Sequence, residues 1–163
     1  STTLKLLRDN KFLYFYFDAK DNEVVVKNPF EQERDVELED RVELFFSKDS
    51  TMQQYYCFEI DALGRTLSYG ARHYRQMDFD WNVPEEYQVR TTSYEGGYRV
   101  EGAIPWDFIA SLTDKKSIYM GAYRAEFSMK NDSIVENWLT WVNPNTPSPD
   151  FHVPTSLGVI SWK

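Results

Sequence analysis

A chain of 163 residues, 42% hydrophobic and 27% charged, has the length of one domain (1–163) and enough apolar mass to bury a core. A formal net charge of −8, from 26 acidic against 18 basic residues, repels phosphate backbones and excludes a nucleic-acid partner. No apolar run approaches the ~18 residues that cross a bilayer as a helix, so no transmembrane segment is expected. Cys57, the single cysteine, excludes an internal disulfide and reads as a small buried hydrophobe. Aromatic residues make up 17% of the chain, an excess that suits pleated, half-buried surfaces.

The pattern is one of short strands separated by turn residues, which predicts an all-β, antiparallel β-sandwich. No signal peptide is present, and a strand pattern begins almost at Ser1, as in a mature or trimmed product. Residues 11–18, KFLYFYFD, are too short and too aromatic for a core helix and predict a central strand. The β-branched run NEVVVK (22–27) predicts another. In DRVELFFS (40–47), Val42, Leu44 and Phe46 share one face, with Arg41 and Glu43 on the other. QYYCFEID (54–61) alternates likewise, and Gly64 marks a tight turn into RTLSYGARHY (65–74). Glu95-Gly96-Gly97 predicts a hairpin between strands 87–94 and 97–104. PWDFIASL (105–112), with proline at its start, is the one helical turn expected. Strands at 117–128 and 157–162 follow, separated by residues 142–154, whose four prolines exclude regular structure and predict an ordered loop.

Catalytic signals are thin. His73 and His152 are the only histidines, neither in a spaced motif, and no GxSxG, HExxH, P-loop or GxGxxG occurs. The polar positions Glu43, Glu59, Arg99, Glu101, Arg124 and Glu126 sit opposite apolar ones on their own strands. They form either cross-strand ion pairs on an exposed sheet or a binding face whose charges hydrogen-bond sugar hydroxyls. Trp141 opens the proline-rich loop three residues after Trp138; it is either an exposed stacking platform or an edge residue holding the loop. Trp81, in DFDWNVPEE, carries the same two readings, whereas Trp106 reads as a packing residue.

Taken in order, LYFYFDAKD (13–21), DRVELFFS (40–47), YYCFEIDALG (55–64), YRVEGAIPW (98–106), MGAYRAEF (120–127), WLTWVNP (138–144) and PDFHVPTSLGVISW (149–162) span nearly the whole chain. This series resembles the family 9 carbohydrate-binding modules, and more closely the single-domain family-9-like proteins of Bacteroidetes. The resemblance implies a jelly-roll-like or immunoglobulin-like sandwich without catalytic activity, with no organic cofactor and with structural calcium. In better-studied members two tryptophans clamp the end of a glucan or xylan chain, helped by polar side chains. Glu43 matches the acidic position of the family's VE(I/L)F strand, Trp141 the tryptophan before the closing loop, and Phe151-His152 the FH of the single-domain branch. The second clamping tryptophan falls where this chain has Val36-Glu37-Leu38, with Phe30 the nearest upstream aromatic. The family's arginine on the next strand is Glu59 here.

The expected function is therefore a non-catalytic module for plant-type glucan or xylan oligosaccharides or chain ends. The residues expected to bind are Trp141, Glu43, Glu59, Arg124, Phe30, Trp81 and His152. The setting implied is extracellular, periplasmic or cell-surface, within a larger polysaccharide-degrading system. Two alternatives remain: a protein-interaction adaptor that has lost its sugar site, and a haem-binding cytochrome-type sandwich using His73 or His152 with Met77, Met120 or Met129. The acidic segment Asp18-Ala19-Lys20-Asp21 is the candidate calcium turn.

Overall fold

Alternation in residues 12–20 drives Leu13, Phe15, Phe17 and Ala19 to one side and leaves Tyr14 and Tyr16 half-buried on the other. The computed structural model, which describes residues 1–113 and 116–162, makes this segment β2 (Phe12–Lys20). It lies between β1 (Thr2–Arg8) and β8 (Gly97–Pro105) in a four-stranded antiparallel sheet closed by β7 (Gln88–Tyr94). The β7–β8 turn relies on Gly96, whose φ of +88° favours glycine. Pro105 then starts the short helix α1 (Trp106–Ser111).

The larger sheet runs β10 (Ser133–Thr140), β9 (Ser117–Lys130), β3 (Arg41–Ser47), β4 (Tyr55–Asp61), β5 (Thr66–Arg72), β6 (Gln76–Asp78), all antiparallel. The two sheets pack face to face. Val42, Leu44, Phe46, Phe58, Ile60 and Met120 meet Leu13, Phe15, Phe17, Val100 and Ile104 in a common core. Each such side chain contributes roughly 1.5–3 kcal/mol on burial.

Every residue of β3 is buried, including those facing away from the partner sheet. That outer face is covered by a 3-10 turn at Glu33–Leu38, by Met77 of the edge strand β6, and by the proline-rich loop. The loop begins where β10 leaves β9, with the Trp141 N–H given to the Ala122 carbonyl (2.9 Å). It crosses the outer face through Phe151 and His152, then rejoins the same edge of β9 as β11 (Gly158–Ser161). The excursion is pinned by Phe151 stacked on Tyr123 (4.3 Å, 11°) and by Ser156 Oγ, bonded to the Phe151 carbonyl and Tyr123 Oη.

Besides adding the short β6 and the 3-10 turn, the structure departs from the sequence reading at residues 22–27 and at β10. Residues 22–27 form no strand: their donors go to carboxylates instead of a ladder, Val25 N–H to Asp40 (2.6 Å) and Lys27 N–H to Glu39 (2.5 Å). Conversely, β10 exists although its pattern gives little sign of it. An edge strand exposed over residues 133–137 shows no clean alternation.

Candidate functional site

Antiparallel register places Glu43 of β3 directly opposite Glu59 of β4. Both are buried, at 1% and 3% exposure, and like charges so opposed destabilise a sheet unless a cation intervenes. Arg41, two residues before Glu43 and therefore on the same face, supplies it. Its Nε lies 2.8 Å from Glu43 Oε1 and 2.9 Å from Glu59 Oε2. The single Nε–H is given to Glu43, which leaves Glu59 Oε2 in ionic contact but without a hydrogen bond among the described residues. Glu59 Oε1 accepts the Tyr69 hydroxyl (2.7 Å), and Arg41 Nη1 donates to the Glu37 carbonyl (2.9 Å). Burial above all, and then the Glu59 charge, raises the Glu43 pKa to about 8; Glu59 moves in the same direction, chiefly by burial.

These groups floor a cleft of about 300 Å³. Its walls come from Trp138, Phe151, His152, Met77 and Pro149, with Glu37, Arg75 and Asp150 also lining it. Trp138 reaches the floor because its cross-strand neighbour is Ala125, itself opposite Arg41; the Arg41 guanidinium stands 5.5 Å from the Trp138 ring. Trp138 packs edge-on against Phe127 and Phe151 (5.7 and 5.4 Å). Arg75 and Asp150 form an ion pair (2.8 Å), and Asp150 also accepts the Tyr74 hydroxyl and the His152 N–H. His152 shares a hydrogen bond with the Tyr55 hydroxyl (2.8 Å). Burial and, secondarily, Arg75 lower its pKa to about 3, so it is neutral at physiological pH. One aromatic wall and several convergent polar groups in a concave space suit a small polar ligand with an apolar face.

Of the residues expected to bind, Glu43, Glu59 and His152 meet in this cleft. The others lie elsewhere. Trp141 is three residues after Trp138, and that odd step along the chain turns it to the opposite side of the sheet. There it is 51% exposed and lines a separate groove of about 450 Å³ with Leu4, Leu6, Ile160 and Arg124. That groove is larger but mostly apolar, and it lacks the convergent charges of the cleft. Arg124 also faces the partner sheet, ion-paired with Asp21 (2.7 Å) and donating to the Lys20 carbonyl. Trp81 packs on Tyr56, Phe58 and Phe108, and Phe30 lies under the Arg65 guanidinium (4.2 Å). Arg99 and Glu101 belong to the smaller sheet, so the six polar positions form no common surface. Trp138, Arg41, Tyr69, Arg75 and Asp150 are among the lining residues that the sequence reading did not select as binding residues. Arg41 was signalled by its parity with Glu43; Tyr69 stands on β5, and Trp138, Arg75 and Asp150 depend on β10 and on loop positions.

The proposed calcium turn does not fit a metal ion. Asp18 accepts the Tyr94 hydroxyl (2.6 Å) on the outside of the smaller sheet, while Asp21 is neutralised by Arg124 within. A guanidinium thus stands where calcium would need further oxygens, and among the described residues no group of three or more acidic, histidine or cysteine side chains is placed to hold a metal. Of the candidate haem ligands, Met120 is in the core between the sheets and Met129 is exposed; Met77 and His152 line the same cleft, where His152 Nδ1 is already bonded to the Tyr55 hydroxyl and the floor is made of buried charges.

A proposed carbohydrate-binding protein from Bacteroides uniformis ATCC 8492 superposes with a TM-score of 0.71 at 15% identity, covering 100% of this chain and 78% of that one. A family 9 carbohydrate-binding module from Caldicellulosiruptor kristjanssonii in complex with cellotriose gives 0.63 at 16% identity, over 99% and 74%. Its complex with glucose gives 0.62 at 17%, over 100% and 76%. At such identities these likenesses establish the fold. No protein of curated function matches the chain. The model of the carbohydrate family 9 binding domain-like family matches residues 1–163, and the chain belongs to that family.

Proposed function

We propose that the chain binds carbohydrate without transforming it, taking a sugar residue of a glucan or xylan oligosaccharide or chain end into the cleft between Trp138 and the proline-rich loop. The observation that carries this reading is the pairing of an aromatic wall, Trp138, with the Arg41–Glu43–Glu59 floor. A pyranose offers C–H faces to a ring and vicinal hydroxyls to charged donors and acceptors, and the cleft supplies both. Family membership, and neighbours solved with cellotriose and glucose, support the same ligand class.

The floor also argues against glycoside hydrolysis. Two carboxyls that cleave a glycosidic bond must flank it. Here the Arg41 Nε stands within 3 Å of both, filling the space the bond would occupy. A binding module working beside polysaccharide-degrading enzymes outside the cytoplasm is the setting this reading implies. Calorimetric titration with cellobiose, xylobiose, mannobiose and galactose tests it. A saturable heat with one or more of these sugars, lost in Trp138→Ala, is expected. A flat response to all four rejects sugar binding and leaves the adaptor reading.

A further inference from the structure

Resting on that reading, we infer that the proline-rich loop forms a second subsite beside the cleft. It holds the neighbouring sugar unit through neutral hydroxyl contacts, and Thr146 and Ser148 set the preference for a disaccharide over a single sugar. A pocket of about 370 Å³ lies between the end of β10 and residues 143–151. It shares Trp138, Pro149, Asp150 and Phe151 with the cleft, so the two hollows adjoin across those four residues. The rest of its lining is Thr140, Asn143, Pro144, Thr146, Pro147 and Ser148. Among the described residues no tryptophan besides Trp138 lines either hollow. The second unit is therefore held without the two-tryptophan clamp that the resemblance implies.

The two hollows differ in chemistry. The cleft has its ionic floor, whereas the loop pocket contains one ionisable side chain, Asp150, with both oxygens taken. Its Oδ1 accepts from Arg75 and from the His152 N–H, and its Oδ2 from the Tyr74 hydroxyl. Thr140, Thr146 and Ser148 carry hydroxyls that make no hydrogen bond among the described residues. Thr140 and Thr146 are half-buried and Ser148 is exposed, so a ligand can reach all three. Each can donate to and accept from a sugar hydroxyl, which is likewise both donor and acceptor. The surrounding backbone is set before a ligand arrives. Pro144, Pro147 and Pro149 fix their own φ, Thr155 Oγ1 donates to the Pro144 carbonyl (2.8 Å), and the Asn145 N–H to Asn143 Oδ1 (2.9 Å). Little ordering entropy is then lost on binding, so contacts of modest strength appear as affinity.

Calorimetric titration with glucose and with cellobiose tests this. Cellobiose is expected to bind on the order of tenfold more tightly than glucose, the scale of one or two neutral hydrogen bonds. In Thr146→Val combined with Ser148→Ala, cellobiose affinity should fall to that of glucose, while glucose affinity stays at the wild-type value. Both substitutions keep the prolines and the hydrogen bonds that hold the loop. Thr140→Val, at the β10 end of the pocket, should reduce the cellobiose advantage about threefold without touching the loop. Equal affinity of the wild type for glucose and cellobiose overturns the inference and leaves carbohydrate binding standing. So does a cellobiose advantage retained in full by these variants, which would put the second unit elsewhere. Failure of both sugars to bind removes the carbohydrate reading itself. The wild-type comparison and Thr140→Val keep the inference open to refutation even where the loop variant fails to fold.

Discussion

The two faces of the larger sheet are made by alternate residues of the same strands, yet they do different work. Inward, Val42, Leu44 and Phe46 of β3 and Phe58 and Ile60 of β4 pack against the smaller sheet in an apolar core. Outward, Arg41, Glu43 and Glu59 are as deeply buried, under loops instead of a sheet, and form an ionic floor. Burial alone therefore does not separate scaffold from site. What separates them on these two strands is charge: the inner side chains of β3 and β4 are apolar, and the outer ones hold an arginine between two carboxyls.

The two faces should respond differently to mutation, and the largest effect belongs to the inner one. Phe58 contacts Phe46, Tyr87 and Phe108. Phe58→Ala should lower unfolding free energy by about 3–5 kcal/mol in denaturant titration. On the outer face, Arg41→Met leaves two opposed carboxyls buried without their cation and should cost about 3 kcal/mol or more. Arg41→Met combined with Glu43→Gln should recover most of that loss, which an apolar position could not do. Gly121 has no room for a Cβ because the Tyr123 ring lies against it. Gly121→Ala should therefore cost about 1–3 kcal/mol and loosen the loop that Tyr123 anchors.

A smaller effect is expected on titration. Because the Glu43 pKa is raised to about 8 in the fold from 4.5, the folded state keeps a proton that the unfolded state has released. Stability should fall as pH rises through that window. His152 acts in the opposite sense lower down: with its pKa depressed from 6.5 to about 3, stability falls as pH drops below 6.5. Above pH 6.5 the carboxyl effect is unopposed by His152, so the melting temperature should decline from pH 6.5 to 8.5; Glu39 and Asp40, both raised to about 7 chiefly by burial, share in it, and Glu43→Gln should make the decline shallower. An unchanged slope in the variant would show that the proton resides elsewhere.

The sequence disclosed the fold wherever alternation was sharp. β2, β3, β4 and the β7–β8 hairpin follow from apolar spacing and glycine placement, and the same spacing put Arg41 and Glu43 on one face. It misled where a sheet is covered on both sides. On the second half of β9 the apolar residues Tyr123, Ala125 and Phe127 lie toward the loops, while Arg124 points to the partner sheet. Polarity was thus no guide to direction there. The aromatic wall was misplaced for a related reason. β10 is an exposed edge, so no pattern fixed whether Trp138 or Trp141 shares a face with Glu43. Loop residues Arg75 and Asp150 meet only through tertiary structure.

The central claim is that the ligand lies on the Trp138 side of the sheet. The most direct measurement is the thermal shift produced by saturating cellobiose in wild type, Trp138→Ala and Trp141→Ala, since a ligand bound only to the folded state raises the melting temperature. The shift should persist in Trp141→Ala and vanish in Trp138→Ala. A shift that survives in Trp138→Ala and is lost in Trp141→Ala would place the site in the apolar groove and contradict this account.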